Sequence, residues 1–258
     1  MPRKPISADE AARRALEHDW AKRLDTFGKL ATTAPDKLSN DDVHDLRVTT
    51  RRLRASLWVV RHSMIDAHAE RGHRELRSIG EALGERRMWD IALGDAEHYG
   101  ADTSEIEKER RRAQATLRRA LRHARVHKLV TSLHKLEREI PGLMLEKLVP
   151  WLREYEWELA YRLGQPPKTP TERHELRIQA KKTRYVLESL GRRAPSIEKL
   201  QDHLGREHDL HVLREIIGAK RALVRDAKTA QARADRVMQP ALRSGMRQLR
   251  ILQRELTR

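Results

Sequence analysis

The sequence predicts an all-α protein. Apolar residues recur at spacings of three and four along almost the whole chain of 258 residues, which is the period of an amphipathic helix. The alternating β-branched runs that would indicate strands are absent. Glycine and proline number only 12 and 10, so few positions interrupt the helical pattern.

Capping residues mark the starts of the predicted helices, and glycine and proline mark several of the ends. Ser7 and Ser104 are each followed three residues later by a glutamate, which is the spacing of a capping box. Thr169 precedes Pro170, a residue suited to the first position of a helix, and residues 164–170 form the clearest linker. We expect eight helices, at 7–33, 40–66, 69–98, 103–139, 143–163, 170–191, 196–219 and 220–256.

Two repeated motifs indicate that these helices form two related four-helix units. Residues 44–54 and 174–184 share the order His, acid, apolar residue, Arg, β-branched residue, two bases and Arg, at an offset of 130 residues (174 minus 44). Each copy is followed by a Leu-Gly step, at Gly84 and Gly205, where glycine inside a helix costs up to ~1 kcal/mol relative to alanine. Such a glycine indicates a close helix approach or a bend. We expect one domain over residues 5–258, with internal halves at 5–140 and 142–258.

In both copies the histidine and three bases lie on one face of a helix. At ~100° per residue, the histidine and the positions three, seven and ten residues later fall within ~80° of one another. Leucines form a separate stripe, so each helix has one face for a core and a neighbouring face for an anion. These candidate binding residues are His44, Arg47, Arg51 and Arg54 in the first copy, and His174, Arg177, Lys181 and Arg184 in the second.

The composition favours a polyanionic partner. Lys and Arg number 54 against 38 acids, and the net charge of +16 suits nucleic acid, an anionic membrane surface or a phosphate polymer. A solvated, highly charged helical surface explains the net charge equally well. The chain has no cysteine, which excludes disulfides and thiolate metal sites. Without a signal-peptide core or an apolar run of bilayer length, we expect a soluble, cytoplasmic protein with no membrane insertion.

The sequence resembles the CHAD domain family, named for a conserved histidine α-helical domain. Segments 44–54, 83–90, 174–184 and 204–209 carry the resemblance, which extends over nearly the whole chain. It implies two four-helix bundles related by a pseudo-two-fold axis around a basic central pore or groove. It also implies binding of inorganic polyphosphate, in some members on polyphosphate granules. The eight residues above would form the binding set, with Arg52, Lys182, Arg87 and His208 in secondary roles.

The chemistry of these residues agrees with that implication. Polyphosphate presents a regular row of negative charges and no base or side chain to recognise, so a binder needs spaced cations that carry N–H donors. The sequence contains no nucleophilic cysteine, no glycine-rich phosphate loop and no acidic pair with a recognisable catalytic spacing. We therefore expect a binding protein that is not an enzyme and that needs no cofactor.

Three alternatives remain open from the sequence. The basic runs within residues 109–125 would suit sequence-independent binding of nucleic acid, although few aromatic residues are available for stacking. A long helical bundle could also be a scaffold for an acidic protein partner. Finally, His208 and His211 have a spacing that permits metal binding, although we expect no functional metal site. His44 and His174 could instead be structural residues.

Overall fold

The computed structural model describes residues 7–64, 67–218 and 221–257. Every regular element in these ranges is helical, which confirms the all-α fold class. The described elements are nine α-helices and three short 3₁₀ helices. The α-helices are α1 (Ala8–Thr32), α2 (Asn40–Ser63), α3 (Ala67–His98), α4 (Ser104–His123), α5 (Val126–Glu137), α6 (Val149–Gly164), α7 (Pro170–Ser189), α8 (Pro195–Ile217) and α9 (Arg221–Leu256), and the 3₁₀ helices are Pro35–Lys37, Ile140–Gly142 and Leu145–Leu148.

The caps explain most of the helix boundaries. Thr169 and Glu172 form a complete capping box at the start of α7, as predicted. Ser7 accepts a hydrogen bond from the backbone N–H of Glu10, which confirms the serine part of that box. The predicted box at Ser104 is wrong, because this serine is the first residue of α4. The predicted ends at 66 and 219 and the predicted start at 220 lie outside the described residues.

The predicted helix at 103–139 is two helices, α4 and α5. The chain turns at Arg125, whose φ of 46° is in the left-handed region. Ala124 and Val126 on either side of it are both buried, although residues two apart in one straight helix point ~200° apart. The break therefore lets both segments face the core. Similarly, α6 begins later than the predicted position 143, because Leu145–Leu148 is a separate 3₁₀ helix.

Helices that follow one another along the chain pack side by side. In one set α1 packs on α2, α2 on α3 and α3 on α4, with α5 against α1 and α3. In the other set α6 packs on α7, α7 on α8 and α8 on α9, and α9 returns to α6. Contacts of α2 with α7 and of α3 with α8 join the sets. The internal duplication and its limits, 5–140 and 142–258, stay predictions, and residues 5, 6 and 258 lie outside the described chain.

Two hydrophobic cores hold this arrangement. The larger core runs through both sets of helices, and a smaller one joins the C-terminal parts of α3 and α8 to the N-terminal parts of α4 and α9. Within the described residues, no helix is both long and apolar enough to cross a membrane.

Substituting Gly245→Ala is expected to lower the free energy of unfolding by about 1–3 kcal/mol. A Cβ atom there would lie 2.7 Å from Cδ1 of Ile197 on α8 and 2.9 Å from Cδ1 of Leu159 on α6, and both side chains are fully buried. Gly94→Ala on α3 is the matched control, since nothing lies within 4 Å of its added Cβ. The control should gain up to ~1 kcal/mol from helix propensity. Urea unfolding of both variants checks this, and equal effects would contradict the close packing of α9.

Candidate functional site

Helices α2 and α7 carry the two copies of the repeated motif, and they pack directly against each other. Capping boxes fix both N-termini, at Ser39 with Asp42 and at Thr169 with Glu172. The predicted apolar stripes are fully buried, which fixes the rotation of each helix about its axis and turns the basic faces towards each other. These stripes are Leu46, Leu53 and Leu57 on α2 and Leu176, Leu187 and Leu190 on α7.

The two basic faces meet in one cavity of about 360 Å³. This cavity, called the inner cavity below, brings together seven of the twelve residues predicted from the sequence. They are Arg47 and Arg51 from α2, Arg87 from α3, His174, Arg177 and Lys181 from α7, and His208 from α8. The helices α3 and α8 also contribute apolar residues to the lining, which the basic faces alone do not predict. They are Met88, Ile91 and Ala92 on α3 and Val212 and Leu213 on α8.

The glycines of the two Leu-Gly steps lie beside the arginines of the motif. A Cβ atom added to Gly84 would lie 4.0 Å from Nε of Arg47, and one added to Gly205 would lie 3.8 Å from Nε of Arg177. The sequence predicts a close approach at these glycines, and the group that approaches the helix is the guanidinium of an arginine. Both motif copies have the equivalent arrangement, and an added Cβ atom at either glycine would be in ordinary van der Waals contact with the arginine.

The cations of the inner cavity have few anionic partners. Across residues 7–64, 67–218 and 221–257, no carboxylate oxygen lies within 4.0 Å of a side-chain nitrogen of Arg47, Arg51, Arg177 or Lys181. Nε of Arg47 is buried without a hydrogen-bond partner in that part of the chain. The cavity does contain two carboxylates, Glu85 and Asp209. They do not balance the positive charge of the lining residues.

Burial and repulsion between positive charges lower the pKa values of Arg47, Arg51 and Lys181. The pKa of Lys181 falls to about 6, first because the ammonium group is buried and then because guanidinium groups surround it, Arg51 foremost. The same two causes lower the pKa of Arg47 to about 9. Burial also raises the pKa of Asp209. A bound anion would relieve the repulsion between positive charges that contributes to the lowered pKa values of the bases.

Two histidines at one end of the inner cavity are uncharged at neutral pH. Burial is the main cause that lowers the pKa of His208 to about 4, and the positive charge of Arg177 adds to it. The pKa of His174 is lowered by burial and by the same arginine. Neutral imidazoles can donate a hydrogen bond to a phosphate oxygen without adding to the repulsion.

Five of the predicted residues do not line the inner cavity. Arg184 is buried on another side of α7, where it pairs with Glu188 at 2.7 Å and with Glu198. Arg52 also pairs with Glu188, at 3.0 Å. Since these carboxylates neutralise them, the two arginines hold helices together rather than offering free charge to a ligand. The remaining three are His44 and Lys182, which are exposed, and Arg54, which lies close enough to Lys181 to lower its pKa.

A metal centre finds no support in the geometry. Among the side chains that the structure describes, no group of three or more histidines and carboxylates is arranged to hold a metal ion. His208 and His211 both lie on α8, but His211 is directed to Glu215, at 3.5 Å. The donors of the inner cavity are cationic or neutral nitrogens, which suit an anion.

Comparison with known proteins identifies similar chains. The sequence model of the CHAD domain family matches residues 21–218. The crystal structure of the CHAD domain from the plant Ricinus communis is similar at a TM-score of 0.62 and 20% sequence identity, over 95% of this chain and 94% of that one. PptA from Streptomyces chartreusis is similar at a TM-score of 0.63 and 14% identity, over 98% of both chains. At these identities the structural likeness concerns the fold. The search of curated proteins gives no match.

Proposed function

This chain belongs to the CHAD domain family, and we propose that it binds inorganic polyphosphate in the inner cavity without cleaving it. The observation that carries the proposal is the convergence of Arg47, Arg51, Arg177 and Lys181 on one cavity in which none of them has an ion-pair partner in the described chain. Unpaired buried charge is costly unless a ligand compensates it. A polymer of phosphate units supplies that compensation.

The dimensions and chemistry of the cavity fit such a chain. At about 1.5 Å of rise per residue, the segment of α7 from His174 to Lys181 extends over about 10 Å. Guanidinium groups reach into the cavity from both α2 and α7, so a polymer lying between these helices would be contacted on two sides. Partial burial strengthens each contact relative to the open surface.

We propose binding rather than hydrolysis because the cavity contains no hydroxyl or thiol nucleophile. The lining residues that the structure describes include no serine, threonine or tyrosine, and the chain has no cysteine. The two lining carboxylates, Glu85 and Asp209, lie among arginines. The role that follows for the protein is association with polyphosphate granules or scaffolding on the polymer.

Nucleic-acid binding through α4 is less well supported. Most bases in its two runs form ion pairs: Arg110 with Asp90, Arg111 with Glu107, Arg112 with Glu109 and Arg118 with Asp36. These pairs reduce the charge available to a phosphate backbone. Arg119 and Arg122 on the same helix are exposed, and they offer a control site for the experiments below.

Titration of the protein with long-chain polyphosphate and with double-stranded DNA tests the proposal. At an ionic strength of about 0.15 M, where the Debye length is about 8 Å, polyphosphate is expected to remain bound while DNA binding falls steeply. Arg119→Glu with Arg122→Glu should leave polyphosphate binding within about twofold of wild type. Incubation with Mg²⁺ should leave the length of the polymer unchanged. Equal or tighter binding of DNA that is lost in the α4 variant would overturn the assignment.

A further inference from the structure

A second cavity of about 260 Å³ lies beside the inner cavity, between α7, α8 and α9. We call it the outer cavity. His174 and His208 line both cavities, so the two spaces meet at this pair of side chains. The imidazole rings of the pair are 4.7 Å apart. Nδ1 of His174 is buried and has no hydrogen-bond partner among the described residues.

The outer cavity has an excess of positive charge. Lys168, Arg214 and Lys228 line it from three different segments, and their side chains are exposed. In the described ranges none of the three forms an ion pair with a carboxylate. The carboxylate among the lining residues is Glu207, and it is bound to the buried guanidinium of Arg173. Its charge is therefore not available to balance the three exposed cations.

The histidine pair allows the two cavities to share one ligand. Both imidazoles have a lowered pKa, so they are neutral at pH 7 and add no repulsion at the junction. A neutral ring nitrogen that carries hydrogen can donate to a phosphate oxygen, and the buried nitrogen of His174 lacks such a partner. Beyond the pair, the next cations along the path are those of the outer cavity.

Resting on the proposed function, we propose that the outer cavity is a second subsite, which binds the part of a polyphosphate chain that passes beyond His174 and His208. The inner cavity alone holds a short polymer. A chain that is long enough to pass the histidine pair also contacts Lys168, Arg214 and Lys228. The protein therefore prefers long inorganic polyphosphate over tripolyphosphate, compared at equal concentrations of phosphate units.

Removing the charges of the outer cavity tests this preference. Lys168→Gln, Arg214→Gln and Lys228→Gln are combined, and binding of tripolyphosphate and of long-chain polyphosphate is measured by calorimetry at constant ionic strength. The affinity for the long chain should fall about tenfold, since three exposed ionic contacts are lost. The affinity for tripolyphosphate should change less than about twofold, because the inner cavity is intact.

A matched control has the same loss of charge elsewhere. Lys22→Gln, Arg119→Gln and Lys147→Gln change three exposed bases that line neither cavity. This control should bind both polymers as the wild type does. A parallel fall in the control, or unchanged long-chain binding in the outer-cavity variant, would refute the second subsite while leaving the inner site in place. If the wild type binds neither polymer, the proposed function fails and the subsite fails with it.

Discussion

Arg51→Glu combined with Lys181→Glu is expected to abolish polyphosphate binding, with a loss of affinity of at least about 100-fold. The two side chains lie on opposite helices and contribute positive charge to the same cavity. If the proposed function holds, each substitution removes a group that would contact the polymer as a cation and adds an anion that would repel it. Because burial weakens solvent screening in the cavity, both effects are larger than at an exposed position.

The folded structure should tolerate this double charge reversal. Arg177 now repels Arg51, and both new carboxylates would lie beside the guanidinium groups that remain. Repulsion is replaced by attraction, so we expect unchanged helicity and a thermal midpoint no lower than that of the wild type. Circular dichroism and a binding titration measure the two properties separately. Retained binding in a fully helical variant would show that the inner cavity is not the site.

The matched control for this experiment is Arg119→Glu with Arg122→Glu on α4. It changes the net charge of the protein by the same amount at exposed positions that line neither cavity. Its affinity for polyphosphate should stay within about twofold of wild type. A comparable loss in both variants would mean that overall charge, rather than the inner cavity, determines binding.

The sequence predicts only the part of the site that follows from the geometry of a single helix. The spacing of His174, Arg177 and Lys181 places them on one face, and in the structure all three line the inner cavity. The same reasoning includes Arg184, which the structure places in ion pairs outside that cavity. One partner, Glu198, belongs to the next helix, and helical periodicity contains no information about the charges of a neighbouring helix.

Long-range packing determines the rest of the site. The apolar lining residues depend on how α3 and α8 approach each other, and no local pattern distinguishes Met88 or Val212 from other apolar residues. The glycines were more informative, because a residue that weakens a helix draws attention to its surroundings. Gly84 lies beside Arg47 and Gly205 beside Arg177, although a Cβ atom would also fit at both positions.

The break between α4 and α5 had a weaker signal. No glycine or proline marks it, and the left-handed residue is Arg125. The apolar stripe of α4 runs through Leu117, Leu121 and Ala124, and then resumes at Val126 instead of four residues later. In a sequence this rich in bases, the altered spacing of apolar residues indicates a helix break only when each apolar position is followed in turn.

Proton uptake is the second large effect that we expect from the inner cavity. Burial first, and then the positive charges of Arg51, Arg177, Arg47 and Arg54, lower the pKa of Lys181 to about 6 in the free protein. A bound polyanion offsets both causes and returns this pKa towards its ordinary value of about 10.4. Between these values the free lysine is neutral and the bound lysine is charged. Binding should therefore take up about one proton per site near pH 8.

The sign of the pH dependence follows from this linkage. Below pH 6 the lysine is protonated in both states, and affinity is independent of its titration. Above pH 6 the affinity should fall as the pH rises, by up to about tenfold per pH unit. The free energy of unfolding of the free protein changes with pH in the opposite direction to the affinity. The unfolded lysine keeps its proton to about pH 10.4 while the folded one loses it above pH 6, so the free energy of unfolding should rise with pH across this range.

Calorimetry in buffers of different ionisation enthalpy measures the proton uptake directly. Lys181→Arg is the matched control, because a guanidinium group keeps its charge throughout this pH range. In that variant proton uptake near pH 8 should be lost, the pH dependence of affinity should flatten, and the affinity at pH 8 should equal or exceed that of the wild type. Unchanged proton uptake in the arginine variant would assign the titration to a group other than Lys181. The absence of uptake in the wild type would mean that this lysine is already charged before the polymer binds.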